Sequence, residues 1–161
     1  MMIRLVRLIM IMVTVGLIAT AAEAAQWDAK HYHGSMCQSE NDEDDLYRWY
    51  TEGTRINESY ANLICPIVRD NTTNKDGVLV RVTVESEKGG WCSLHALSWP
   101  NPTSSVLSAW GAWAGSGIRV IELRLTNSFR HGHYALWCTI EEGDRVISYW
   151  VAEKLPTNND N

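Results

Sequence analysis

The chain is patterned in twos. In VLVRVTVES (78–86), Val78, Val80, Val82 and Val84 fall on one side and Arg81, Thr83 and Glu85 on the other, as a half-buried β-strand requires. WCSLHAL (91–97) repeats the pattern, with Cys92, Leu94 and Ala96 inward and Trp91, Ser93 and His95 outward. GIRVIELRLT (117–126) sets Ile121, Leu123 and Leu125 against interspersed charges. YALWCTI (134–140) puts Tyr134, Leu136, Cys138 and Ile140 inward, leaving Trp137 and Thr139 outward. RVISYWVAE (145–153) is apolar on both faces, and the polar tetrad Glu141–Asp144 before it predicts a hairpin with the preceding strand. LYRWY (46–50) and NLICPIV (62–68) add two more strands. Pro66 withholds a ladder donor, so its strand is predicted to lie at an edge or to bulge. VLSAWGAWAG (106–115) fits a helical face through Val106, Trp110 and Trp113, but Gly111 and the surrounding strands favour β.

Turn signals separate these runs: a polar stretch from Asn71 to Gly77, Lys88-Gly89-Gly90, and Pro100-Asn101-Pro102. Short strands at regular intervals predict an all-β fold, a single antiparallel β-sandwich of immunoglobulin-like or jelly-roll-like kind with seven to nine strands. The N-terminus departs from the pattern. Arg4 and Arg7 precede an apolar run from Leu8 to Ile18, which ends in Ala22-Glu23-Ala24. This is the grammar of a secretory signal peptide, and the run is shorter than the ~20 residues of a spanning helix. The organisation expected is a signal peptide over 1–24, a β-sandwich domain over 25–153 and a flexible tail over 154–161. The location expected is secreted or periplasmic, with no stable membrane insertion after cleavage.

Composition narrows the partners. The formal net charge is −5. Losing Arg4, Arg7 and Glu23 makes the remainder more acidic. No cluster of Lys and Arg stands out, which argues against nucleic acid. Four cysteines in an exported chain predict two disulfides. Three pairings are open, and loop entropy does not rank them. Cys37–Cys65 and Cys92–Cys138 are favoured, the second because both positions face inward on strands.

GSMCQ (34–38), CPIVRDN (65–71), YALWC (134–138) and ISYWVAE (147–153), in that order, resemble segments of small secreted bacterial proteins of unassigned function. Those are single-domain, disulfide-bonded β-sandwich proteins. The resemblance covers roughly Gly34 to Glu153 and implies export and fold, with no activity to carry over. Many of those proteins have a proline near the position of Ile140 or Glu141, and this chain has none there.

Eight tryptophans accompany one phenylalanine. Trp27, Trp49, Trp110 and Trp113 are expected in the core. Trp91 and Trp137 each precede an inward cysteine, so the two-residue period sends them outward. A pairing of Cys92 with Cys138 would bring them together, and Trp150 would extend the row. Such a platform suits the weakly apolar faces of sugar rings, with His95, Ser93 and Thr139 beside it to bond hydroxyls. The ligand-binding residues expected are therefore Trp91, Trp137 and His95. The function expected is a non-catalytic binding module for a glycan or other surface polymer. The alternative is a structural or protein-interaction component of the envelope or extracellular space, and a third reading is a hydrolase.

Other constellations carry less. His31 with His33 and His131 with His133 are H-x-H pairs that would share a strand face and could form a metal site if the N-terminal segment packed beside the last hairpin. The acidic run from Glu40 to Asp45 lacks the ligand spacing of a calcium loop. The G-x-S-x-G, Walker A and H-E-x-x-H signatures are missing, so no catalytic residue and no cofactor is assigned.

Overall fold

The computed structural model describes residues 27–40, 47–50, 53–56, 60–70, 76–98 and 106–154. The signal-like segment, most of the acidic run, the side chain of Trp49 and the tail beyond Lys154 lie outside what is described.

Among the described residues eleven strands run in chain order: β1 (Trp27–His33), β2 (Gln38–Ser39), β3 (Tyr47–Tyr50), β4 (Gly53–Ile56), β5 (Tyr60–Pro66), β6 (Asp76–Ser86), β7 (Gly89–Leu97), β8 (Val106–Ala114), β9 (Gly117–Asn127), β10 (His133–Glu141) and β11 (Arg145–Lys154). The count exceeds the expected seven to nine because β1, β2 and β4 add to the strands the alternation marks, the last two being only two and four residues long. They form two antiparallel sheets. One has the order β3-β4-β11-β6-β9, with β1 also beside β11; the other has the order β2-β5-β10-β7-β8. Most connections cross from one sheet to the other, as in jelly rolls.

The inward faces are those the alternation marks. Val78, Val80, Val82 and Val84 are fully buried, and they meet Leu94, Leu136, Ile140 and Leu123 from the surrounding strands. The run VLSAWGAWAG is strand over Val106–Ala114, and Trp113 is core as expected, only 9% exposed. Two glycines make room for this packing. A Cβ at Gly90 would come within 2.6 Å of the Trp113 ring, and one at Gly111 within 2.7 Å of Ile121. Pro66 ends β5 beyond the two residues that β2 covers, so its flank is an edge.

The structure corrects the hairpin. β10 pairs with β5 and β7, whereas β11 pairs with β1, β4 and β6. The link Glu141–Asp144 passes between the layers. Asp144 explains the crossing. Its buried carboxylate accepts from Ser86 Oγ at 2.9 Å and from the Glu87 N–H at 2.6 Å, tying this link to the turn that takes β6 into β7.

Cys37 is bonded to Cys65 and Cys92 to Cys138, all four buried. The first joins the segment after β1 to β5 of the opposite sheet. At the other end of β11, Arg69 donates to the Phe129 and Gly132 carbonyls at 2.6 and 2.9 Å and lies 5.0 Å over the Tyr134 ring. Glu153 lies 3.7 Å from Arg69 Nε and accepts from the Asp70 N–H at 2.8 Å. Arg69 and Asp70 are thus scaffolding, as a turn pair usually is.

Candidate functional site

The outer face of the five-stranded sheet is built from cross-strand rows. Cys92 lies directly opposite Cys138, so their neighbours Trp91 and Trp137 both point away from the core. Trp91 faces Thr139 and Trp137 faces Ser93, which puts the two indoles on a diagonal ~7–8 Å apart at the backbone. The next strand adds what the sequence reading placed in the core. Trp110 lies opposite Ser93 on β8 and is 76% exposed. Trp91 and Trp137 are 42% and 40% exposed. One row therefore reads Gln38, Ile64, Trp137, Ser93, Trp110. Trp137 and Trp110 stand two strands apart, ~10 Å by sheet spacing.

Ser93 sits between the three tryptophans. It faces outward yet is buried, because the large side chains around it shield it. His95 Nε2 lies 2.8 Å from Ser93 Oγ, and the His95 ring centroid is 5.0 Å from that of Trp137. Partial burial holds the His95 imidazole below its ordinary pKa, so the neutral ring, one donor and one acceptor, prevails near neutrality. Thr139 Oγ1 donates to Asn62 Oδ1 at 2.6 Å and fixes an amide at the margin. On β5, β10, β7 and β8 the rows through Asn62, Ile64 and Pro66 carry no Lys, Arg, Asp or Glu; Glu40, whose N–H donates to the Asn62 carbonyl at 2.9 Å, and Glu141, opposite Tyr60, lie at the margin. The centre of the face is aromatic, rimmed by hydroxyls, amide and imidazole, with its described charges confined to the margin.

The other expected site residues are dispersed. Trp27, expected in the core, is 40% exposed at the start of edge strand β1. Trp150 does not extend the platform row, because β11 belongs to the other sheet and carries it to the opposite outer face. The two H-x-H pairs fall on different sheets. His131 occupies a turn at φ 58°, so it shares no strand face with His133. Among the described residues, no group of three or more His, Cys, Asp or Glu could hold a metal. Trp110 was the residue to find: on a strand, positions three apart point oppositely, so a buried Trp113 implies an exposed Trp110.

No protein-family model and no characterised protein matches the chain in sequence. Solved structures match its fold. The C-terminal CBM6 of LamC, a marine laminarinase from Zobellia galactanivorans, aligns over 78% of this chain and all of its own with a TM-score of 0.50 and 11% identity. CBM29_1, a family 29 carbohydrate binding module from Piromyces equi, aligns over 78% and 91% with a TM-score of 0.47 and 8% identity. CBM6cm-2 from Cellvibrio mixtus lichenase 5A, in complex with cellotriose, aligns over 78% and 97% with a TM-score of 0.40 and 14% identity. At these identities the likeness is one of fold, and it rests on the first of the three.

Proposed function

We propose that the protein is an exported, non-catalytic glycan-binding module that seats an uncharged polysaccharide on the face bearing Trp91, Trp137 and Trp110. The observation that carries this reading is three exposed indoles on one sheet face around a buried serine and a neutral imidazole. Large apolar side chains left in water at this density cost solubility unless a ligand uses them. Sugar rings offer C–H faces to stack and hydroxyls to bond, and the face supplies partners for both. The carbohydrate-binding module of LamC shares the fold, which supports the reading. Export is supported by two buried disulfides, which form and persist in oxidising compartments.

The test is binding to an array of neutral glycans, read through tryptophan fluorescence. Trp137→Ala and Trp110→Ala are each expected to weaken binding at least tenfold, while the melting temperature moves by only a few degrees. A Trp137→Ala variant that binds normally, or one that fails to fold, removes the platform.

A further inference from the structure

The opposite outer face carries a second aromatic site of different chemistry. His31 on β1 faces Trp150 on β11, Trp150 faces Arg81 on β6, and Arg81 faces Glu122 on β9, in one continuous row. The row below it reads His33, Ser148, Thr83, Val120. Between these rows lies a cavity of about 350 Å³ lined by His31, Arg81, Thr83, Val120, Ser148 and Trp150. That is the lower end of the ~300–1,000 Å³ typical of small-ligand sites, room for a short stretch of sugar. The Arg81 guanidinium carbon lies 5.3 Å over the Trp150 ring, and the His31 ring centroid is 6.4 Å from it.

We propose that this cavity binds a sugar unit bearing a negative charge, a carboxylate or a sulfate, within an acidic polysaccharide. Trp150 and Val120 supply an apolar wall. Ser148 and Thr83 supply hydroxyls. Arg81 supplies a planar fork that matches a carboxylate or sulfate with two parallel hydrogen bonds. Its present partner is Glu122 Oε2 at 2.9 Å, with both side chains half exposed. A pair so exposed is weak and readily exchanged for another anion. Glu122 itself would repel that anion, and Arg124 further along the same face of β9 opposes the repulsion. The contrast with the first face is chemical: the centre of the platform carries no charge, whereas this face sets Arg81 and Arg124 beside its cavity, with Arg55 and Arg145 further along the sheet paired to Glu87 and Glu85. The site is independent of the platform, on the other side of the sandwich.

Affinity electrophoresis of the disulfide-bonded protein tests it, in gels containing polygalacturonate, dextran sulfate or neutral pullulan at one ionic strength. Retardation is expected in one or both anionic gels, the pair telling carboxylate from sulfate, and not in pullulan through this site. Arg81→Gln, and separately Trp150→Leu, should weaken the anionic retardation at least tenfold with near-ultraviolet circular dichroism unchanged. A Trp91→Ala, Trp137→Ala double variant should keep it, so that failure of the neutral platform and failure of this site read differently. Absence of retardation in both anionic gels overturns the proposal. So does retardation that survives Arg81→Gln, which is general charge attraction. Arg81-dependent binding to phosphatidylglycerol vesicles without retention by either polysaccharide also overturns it, by assigning the face to a lipid surface.

Discussion

His95 shows how much a single side chain on the platform is set by its neighbours. Trp137 and Ser93 partly bury it, and burial disfavours the imidazolium, so its pKa falls below the ordinary 6.5. In the unfolded chain it takes up its proton near 6.5, whereas the native protein takes it up only at lower pH. Between those two values the unfolded state holds more protons, so this contribution to stability is complete above ~6.5 and is lost as pH falls toward the native pKa. Thermal melts from about pH 7 to about pH 5 should therefore show a loss that His95→Gln lacks. Glu153 acts with the opposite sign, because burial raises its carboxyl above 4.5 and protonation there favours the native state. Comparing variant with parent cancels that contribution, and equal pH dependence in both would dismiss the role of His95. Trp91, Trp137 and His95 were legible because each stands one residue from, or in alternation with, an inward cysteine. Trp110 is the miss: the run reads as strand, yet placing both Trp110 and Trp113 in the core suits only the helical face of VLSAWGAWAG, and the two-residue period separates them.

At the level of elements, the sequence marks where strands begin and which residues they bury, but not how a turn partitions them. Glu141-Glu142-Gly143-Asp144 reverses the chain, and Gly143 at φ 90° supplies the left-handed residue this turn uses. Reversal within a sheet and reversal between sheets have the same local chemistry. What separates them is Asp144, whose partners lie 56 to 58 residues away and leave no trace in the local pattern. RVISYWVAE resisted reading for a related reason. The ladder between β11 and β6 slips between Val146 and Ser148, so Val146 is buried on an even number while Tyr149 and Val151 are buried on odd ones. Asp144→Ala would strand the Ser86 hydroxyl and the Glu87 N–H at a joint of two crossings. The expected cost is ~2–3 kcal/mol, since bonds to a charged acceptor exceed neutral ones. Urea denaturation measures it; a change below about 0.5 kcal/mol, the range of an ordinary surface substitution, would mean the turn does not depend on this carboxylate.

For the molecule as a whole, two sulfur bridges hold two different kinds of connection. Their loops span 28 and 46 residues. Chain entropy then assigns ~3.6 and ~4.0 kcal/mol, a difference too small to separate them. Their surroundings do separate them. Cys92 and Cys138 lie opposite each other on β7 and β10, which are already paired over eight residues. Cys37 instead leads into β2, which pairs with β5 over two residues only. Just before it, the chain turns at Gly34, where a Cβ would come within 1.9 Å of the Val146 carbonyl oxygen. Replacing Cys37 and Cys65 by Ala should free the segment around Gly34–Glu40 first, seen as early protease cleavage there while the platform keeps its ligand. Replacing Cys92 and Cys138 by Ala should leave that segment protected but loosen the spacing of Trp91 and Trp137, so glycan binding weakens before the fold is lost. Limited proteolysis and the fluorescence titration, run on both variants, check the two halves of this statement. Identical cleavage and identical binding in the two would show that the bridges act only through the unfolded chain, as the entropy figure alone supposes.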